Sequence, residues 1–386
     1  MKILVYGDSP ACNTGLGIVA RHTVKALVEA GHEIVCFGMN HWVPYVDPQH
    51  FPYPIYAAGI NPEGDIYGRA SFLRLAKQLK PDVIYSCTDF QVTAQWLKEL
   101  REFYDGPVVD YAPVDCDLCE FDVRHLDMVT RLVTYTHYGR DQLARFGYDA
   151  EVVYLGCDTD VFRPLAQRDE LKGKIFHNEG FVVTAVARNQ WRKDLGRTML
   201  AFRLFRDAYE GHTLLYLHSR LTDLGGDLRY QALSAGLDLK RDVVFAPASF
   251  SEITGVEVEQ LVEIYNASDV VISTCLGEGW GMSTTEAFAT RTPFIGPRHT
   301  SFPELVGENE ERGWLVDVAG FQVCYGFDCH LRPVVDAGGV AEALARVAAG
   351  QDVERRVEAA YQWVQRYPWE RTGREIVRIV EEAAGG

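Results

Sequence analysis

The amino-acid sequence predicts an α/β protein built from two doubly wound parallel-sheet domains. Its 386 residues suit two domains better than one. In both halves of the chain, short apolar runs alternate with segments of helical periodicity. This alternation predicts βαβ units and parallel sheets. Two such domains facing each other leave a cleft at their strand ends, where ligands usually bind in this architecture.

The first half of the chain contains six strand-like runs and four helical segments. The strands are predicted at 2–7, 33–38, 82–87, 107–112, 131–136 and 151–155. The helices are predicted at 17–30, 70–79, 91–103 and 138–146. Between 155 and 175 the pattern breaks, so we predict a linker there.

A second α/β series follows the linker. Its strands are predicted at 181–187, 213–218, 242–246, 269–274 and 293–296. Its helices are predicted at 195–209, 226–235, 257–266, 282–290, 339–349 and 352–366. Pro368 is expected to interrupt the last helical pattern, and a further helix is predicted to start near 371.

Composition excludes several classes of function. The net charge of −16 and the lack of a basic tract argue against nucleic-acid binding and against polybasic membrane binding. No apolar run reaches the length of a membrane span, and the first strand begins without a signal-peptide pattern. The nine cysteines are scattered, which favours free thiols in a reducing compartment. We therefore expect a cytoplasmic protein, with no metal at the Cys116–Cys119 CxxC spacing.

A glycine-containing loop follows the first strand. Gly15 and Gly17 let the backbone approach a ligand closely, and the N-terminus of the next helix suits a phosphate or a sugar hydroxyl. The alternative is a glycine turn that binds nothing. The spacing also matches a dinucleotide fingerprint, but the second strand ends at 37–39 without the acidic residue that would hold an adenosine ribose.

Two cations follow the first strand of the second half. Arg188 and Lys193 come directly after the buried run 182–187, at its carboxyl end. Cations are disfavoured at the start of a helix, so their presence there points to an anionic partner such as a diphosphate. A solvated charge cluster is the alternative.

Two glutamates follow the strand near 270–273. Glu278 lies in a loop with three glycines between 277 and 281, and Glu286 lies about one turn inside the next helix. One carboxylate can face a sugar and the other a ribose, each accepting hydrogen bonds from hydroxyls. In the alternative interpretation Glu278 caps the helix and Glu286 is a surface residue.

These motifs resemble the retaining glycosyltransferases of family 4, the glycosyl transferases group 1, which have the GT-B fold of two Rossmann-like domains. Residues 278–293 resemble the family segment E-G-F-G-x-x-x-x-E-A-x-A-x-G-x-P, with Arg291 where glycine is usual. Residues 186–193 resemble its G-R-x-x-x-x-K element, and residues 155–164 resemble its interdomain linker. Residues 367–369 resemble the aromatic turn from which the last helix returns to the first domain.

The resemblance implies an acceptor-side domain at 1–165 plus 368–386 and a donor-binding domain at 166–367. It implies that Arg188 and Lys193 hold the donor diphosphate, that Glu286 binds the ribose and that Glu278 contacts the transferred sugar. The implied donor-binding set is Gly15, Gly17, Arg188, Lys193, Glu278, Gly279, Trp280, Gly281, Met282 and Glu286.

The resemblance also implies a reaction. Many members of the family have a histidine after the fourth strand of the first domain. Here that region lacks histidine, and Asp115 is the best placed polar substitute. The predicted catalytic residues are Asp115, Arg188, Lys193 and Glu278. They would transfer a sugar, with retention, from a nucleoside-diphosphate sugar to an acceptor hydroxyl.

No cofactor and no metal are expected, because two cations suffice for a diphosphate; the Asp-x-Asp triplets at 115–117 and 158–160 are interpreted as structural. A UDP-sugar is the first expectation for the donor and a GDP-sugar the second. The acceptor is expected to be soluble or peripheral. A sugar-nucleotide epimerase of the same fold and a non-catalytic sugar-nucleotide-binding protein remain alternatives. The sequence leaves open the acceptor, the oligomeric state and the role of the loop 321–333.

Overall fold

The chain forms two compact units, each with its own sheet. The structure is a computed structural model that describes residues 1–41, 46–58, 65–177, 179–247, 250, 256–324 and 329–385. One unit comprises Met1–Gly156 and Tyr367–Gly386, and the other comprises Cys157–Arg366. The divisions fall after Gly156 and Arg366, whereas the sequence predicted them after 165 and 367.

The first unit is an all-parallel sheet with helices. Among its described residues the sheet has seven strands in the order β3-β2-β1-β4-β5-β6-β7. The strands are β1 Lys2–Asp8, β2 Glu33–Met39, β3 Ile55–Ala57, β4 Val83–Cys87, β5 Val108–Ala112, β6 Arg131–Thr134 and β7 Glu151–Val152. The helices are α1 Gly15–Glu29, α2 Arg69–Leu79, α3 Phe90–Leu100 and α4 His137–Ala144. The central strands β4 and β5 are buried along their whole length, as expected of a parallel sheet covered on both faces.

The last helix of the chain, Trp369–Gly385, packs within this first unit. Its Trp369 ring stacks on His22 of α1 with the ring centroids 4.3 Å apart. A Cβ on Gly373 would lie 2.6 Å from the Cβ of Ala26, so only glycine allows this close approach to α1. Thr372 Oγ1 donates to the carbonyl of Tyr154 at 2.8 Å.

The second unit is another parallel sheet, with two added hairpins. The sheet order among the described residues is β12-β9-β8-β13-β14-β15, and the hairpins are β10–β11 and β16–β17. The strands are β8 Phe181–Val186, β9 Thr213–His218, β10 Thr222–Asp223, β11 Gly226–Asp227, β12 Val243–Phe245, β13 Val270–Ile272, β14 Phe294–Pro297, β15 Trp314–Val316, β16 Val318–Val323 and β17 Leu331–Val335. The helices are α5 Arg168–Phe176, α6 Leu195–Ala208, α7 Leu228–Ser234, α8 Val258–Ala267, α9 Met282–Ala289, α10 Phe302–Val306, α11 Ala337–Ala348 and α12 Val353–Val364.

The predicted linker and the segment 321–333 both contain regular structure that the sequence did not predict. The predicted linker contains helix α5, whose Arg168 guanidinium donates to the carbonyl oxygens of Asn266, Ser268 and Arg291. The segment 321–333 contributes to an antiparallel hairpin, and its Arg332 is 1% exposed. Its aromatic residues at 325 and 327 lie outside the described residues.

Arg291 shows why glycine is usual at its position. Its φ of 57° is left-handed, a conformation that disfavours residues with a Cβ. Its guanidinium lies 4.3 Å from the ring centroid of Tyr361 and forms a 2.7 Å ion pair with Glu358, both on α12. These contacts offset the backbone strain and hold α12 against the end of α9.

One buried carboxyl in the first unit affects stability. Asp110 of β5 is fully buried, and Thr93 Oγ1 donates to its Oδ1 at 3.2 Å. Burial raises the pKa of Asp110 well above its ordinary value, more than the hydrogen bonds from Thr93 and Ser86 lower it. Folding therefore favours the protonated form of this carboxyl over its charged form.

We predict that Asp110→Asn stabilises the protein at alkaline pH. Because the pKa of Asp110 is raised on folding, its favourable contribution is present below the unfolded pKa and is lost as pH rises toward the folded pKa. At about pH 8 the melting temperature should rise by roughly 3 °C, and near pH 4 it should change little. The exposed Asp105→Asn is the matched control. A variant that melts below the wild type at alkaline pH would contradict this account.

Candidate functional site

Two loops of the second unit lie side by side because their strands are neighbours in the sheet. Strand β8 pairs in parallel with β13, so the loops at 187–194 and 273–281 leave the same edge. The amide of Leu276 donates to the carbonyl of Arg192 at 2.6 Å, and Thr274 Oγ1 donates to the carbonyl of Asp194 at 2.9 Å. The two loops therefore form one connected surface.

Two cations of the first loop contact one carboxylate of the second. Lys193 Nζ donates to Glu278 Oε1, and Arg192 Nη1 lies 3.2 Å from Glu278 Oε2. The side chains of Arg192, Lys193 and Glu278 are 20%, 14% and 16% exposed. Burial alone would raise the pKa of Glu278, but the two cations outweigh it and lower that pKa to about 2. The carboxylate is therefore charged at neutral pH.

Two side chains that follow β14 hold the glycine loop between Glu278 and α9. Gly281 has a φ of 94°, which glycine adopts most readily. The amide of Glu278 donates to Thr300 Oγ1 at 3.2 Å, and Ser301 Oγ donates to the carbonyl of Trp280 at 2.8 Å. Trp280 as a whole is 3% exposed, so its ring packs inside the protein.

Glu286 lies on α9 in a different environment. Tyr265 OH donates to its Oε2 at 2.5 Å. Burial raises the pKa of Glu286 to about 7, and the Tyr265 hydrogen bond acts in the opposite direction. The alternative interpretations of the two glutamates are wrong: Glu286 is half-buried and hydrogen-bonded, and the N-cap of α9 is Gly281, not Glu278. Opposite pKa shifts suit the two carboxylates to different tasks.

Arg188 contacts a different carboxylate. Its Nε donates to Asp223 Oδ2 of the β10–β11 hairpin at 2.8 Å, and its side chain is 45% exposed. The structure brings Lys193 and Glu278 into direct contact, and it adds Arg192, which the sequence interpretation did not assign to the site. The only sequence signal for Arg192 was its position immediately before Lys193.

The two predicted glycines of the first unit begin α1. A Cβ on Gly17 would lie 2.7 Å from the carbonyl oxygen of Cys12, and the Gly17 amide donates to Thr14 Oγ1 at 3.0 Å. Packing therefore explains glycine at position 17, and the helix cap uses its N–H. Gly15 is the first residue of α1. Their contact with a donor stays a prediction.

Asp115 lies half-buried in the loop that follows β5. Two residues later, Asp117 accepts hydrogen bonds from Tyr138 OH at 2.9 Å and from Gln142 Nε2 at 3.0 Å, which attach this loop to α4. In the second Asp-x-Asp triplet, Asp158 Oδ1 accepts from the amide of Val161 at 3.2 Å. Asp117 and Asp158 thus serve the local fold, and a catalytic role for Asp115 stays a prediction.

We predict a pH-dependent loss of stability in Glu278→Gln. Folding lowers the pKa of Glu278, so its carboxylate stabilises the folded protein above about pH 4.5. That stabilisation is lost as the pH falls toward about 2. A shift of this size corresponds to roughly 3 kcal/mol, so the variant should unfold more easily near pH 6. The difference from the wild type should shrink as pH falls toward about 2. Urea unfolding, with the exposed Glu342→Gln as control, measures this difference. A difference independent of pH would contradict the assignment.

Comparison with known proteins begins with the second unit. Residues 167–320 match the family described as Glycosyl transferases group 1. D-inositol 3-phosphate glycosyltransferase of Corynebacterium urealyticum is 31% identical over 122 residues, which are 31% of this chain and 25% of that protein. The same enzyme of Saccharomonospora viridis is 32% identical over 126 residues. The matched part of these relatives is thus about a quarter of their length.

Solved structures share the fold along the chain. Sucrose-phosphate synthase from Thermosynechococcus elongatus superposes with a TM-score of 0.76 at 16% identity, over 99% of this chain and 98% of that one. Anabaena HepE in complex with UDP-glucose gives a TM-score of 0.70 at 15% identity, over 99% and 100%. These likenesses confirm the predicted GT-B fold class of two parallel-sheet α/β domains. Within the described ranges, no helix has both the length and the apolar character that a membrane crossing requires. The match over 167–320 confirms the resemblance found in the sequence.

Proposed function

We propose that the protein is a retaining, metal-independent glycosyltransferase that moves a sugar from a nucleoside-diphosphate sugar to an acceptor hydroxyl. The observation that carries the proposal is the convergence of Lys193 and Arg192 on Glu278, beside a glycine loop and the start of α9. Basic side chains beside a helix N-terminus suit a diphosphate. The family assignment of residues 167–320 supports the same activity.

The donor diphosphate would replace Glu278 as the partner of the two cations. In the free protein Glu278 neutralises one of the two positive charges. A bound diphosphate would draw Lys193 and Arg192 to itself, and the released carboxylate would accept hydrogen bonds from the sugar hydroxyls. Arg188 would add a third cationic contact to the diphosphate.

The same cations would act during bond cleavage. Negative charge grows on the diphosphate as the sugar leaves, and fixed cations stabilise that charge more strongly in the transition state than in the ground state. In a retaining reaction the acceptor hydroxyl attacks from the face that the diphosphate leaves. The departing phosphate oxygen would take the acceptor proton, so the reaction requires no separate protein base.

The environment of Glu286 and one solved structure suggest which nucleotide the donor carries. Glu286 would bind the ribose, and a UDP-sugar is the first candidate because HepE, of the same fold, is known in complex with UDP-glucose. A GDP-sugar is the second candidate.

We infer a cytoplasmic location, because all nine cysteines are free thiols and seven of them are buried.

Ligand-induced stabilisation should identify the donor. Among UDP-, GDP-, ADP- and TDP-sugars, one should raise the melting temperature by several degrees, equally with and without chelator. Lys193→Gln should abolish the shift, whereas Lys174→Gln, which changes an exposed lysine on α5, should keep it. Stabilisation by none of the sugar nucleotides would contradict the proposal. Conversion of one sugar nucleotide into its epimer without any acceptor would favour an epimerase. Binding without turnover would favour a binding protein.

Donor affinity should increase with pH through the titration of Glu286. The pKa of Glu286 in the free protein is about 7, and ribose hydroxyls donate to the charged carboxylate. Binding of the sugar nucleotide should therefore tighten by roughly tenfold between about pH 6 and pH 8, with proton release at the lower pH. Calorimetry measures both quantities. Glu286→Gln should bind weakly and without this pH dependence; the same pH dependence in that variant would assign the titration to another group.

A further inference from the structure

A short hairpin brings an acidic side chain to a cation of the proposed donor site. Strands β10 and β11 pair Thr222 with Asp227 and Asp223 with Gly226. Asp223 Oδ2 lies 2.8 Å from Arg188 Nε. The Asp223 side chain is 11% exposed, whereas the Arg188 side chain is 45% exposed. The carboxylate is thus part of the packed protein, and the guanidinium is the more accessible partner.

The hairpin is fixed to the residue that follows Arg188. Asn189 is 1% exposed, and its Nδ2 donates to the carbonyls of Gly226 at 2.7 Å and Arg220 at 3.2 Å. The amide of Gly225 donates back to the Asn189 carbonyl at 2.9 Å. A Cβ on Gly225 would lie 2.1 Å from Asn189 Oδ1, so this contact requires glycine. The position of Asp223 relative to Arg188 is therefore determined by the fold.

A carboxylate beside a cation that binds an anionic donor has two opposite effects. Its charge repels the diphosphate, which weakens binding. Its hydrogen bond to Nε removes rotamer freedom from a long side chain, and the terminal nitrogens are then aimed before the ligand arrives. The hydrogen bond to Asp223 is made by Nε, so it does not itself occupy a terminal nitrogen of the guanidinium.

We propose that Asp223 is a positioning residue that orients Arg188 toward the donor diphosphate. The β10–β11 hairpin holds the Asp223 carboxylate in place for this role. The inference rests on the proposed function. It assigns a role to a hairpin that the family motifs do not include, and it makes the orientation of Arg188 depend on a residue that touches no substrate.

The sign of the change in affinity tests the inference. Asp223→Asn keeps the size of the side chain and removes its charge. If positioning dominates, the variant should bind UDP or GDP, whichever stabilises the wild type, about five- to tenfold more weakly by calorimetry. If the carboxylate only repels the ligand, the same variant should bind more tightly. Tighter or unchanged binding would overturn the inference.

A double-mutant cycle separates positioning from a general effect on the fold. In an Arg188→Ala background, Asp223→Asn should cause no further loss of affinity, because Asp223 acts through Arg188. Asp227→Asn removes a charge from the same hairpin and contacts Arg229 instead, so it should leave affinity unchanged. An equal loss in the Arg188→Ala background, or in Asp227→Asn, would show a structural role and overturn the inference. If the wild-type protein binds no nucleoside diphosphate, the proposed function fails together with this inference. If the wild type binds and Asp223→Asn does not weaken binding, only this inference is overturned.

Discussion

The shared ion pair of Glu278 with Lys193 and Arg192 is the interaction on which the candidate site depends. The three side chains come from loops that leave adjacent strands, and each is at most 20% exposed. Removing the carboxylate would leave two poorly hydrated cations without their partner, and removing a cation would leave a buried anion. The site is thus held in a charged, ordered state before any ligand binds. A diphosphate that takes the place of Glu278 keeps both cations paired, and the sugar hydroxyls must then stabilise the released carboxylate.

The two glutamates of the motif differ because their neighbours differ. Cations lower the pKa of Glu278 to about 2, whereas burial without a cation raises the pKa of Glu286 to about 7. The Glu278 carboxylate is therefore charged throughout the neutral range, whereas the Glu286 carboxyl titrates near neutral pH. Their separation along the chain also matters, because Glu278 belongs to the loop and Glu286 to α9. The same residue type can then serve a sugar and a ribose at one edge of the sheet.

Long buried strands and the glycine-rich motif could be predicted from the sequence, because each has a local signal. The apolar run near 182–187 became β8, and the residues after it became the cationic loop. Contacts between distant loops had no such signal. Arg188 and Asp223 are 35 residues apart, and the strands of the β10–β11 hairpin have two residues each. Helix α5 was interpreted as linker because only Phe176 in it is buried and its apolar periodicity is weak. Gly17 was assigned to a ligand, whereas its packing against Cys12 already requires glycine.

A crystal structure of the protein with its nucleotide sugar tests the central claim most directly. The account predicts that Lys193 Nζ and an Arg192 nitrogen lie within about 3 Å of diphosphate oxygens. It also predicts that the Glu278 carboxylate has turned to the hydroxyls of the sugar. A diphosphate bound elsewhere, with Lys193 and Arg192 still on Glu278, would contradict it.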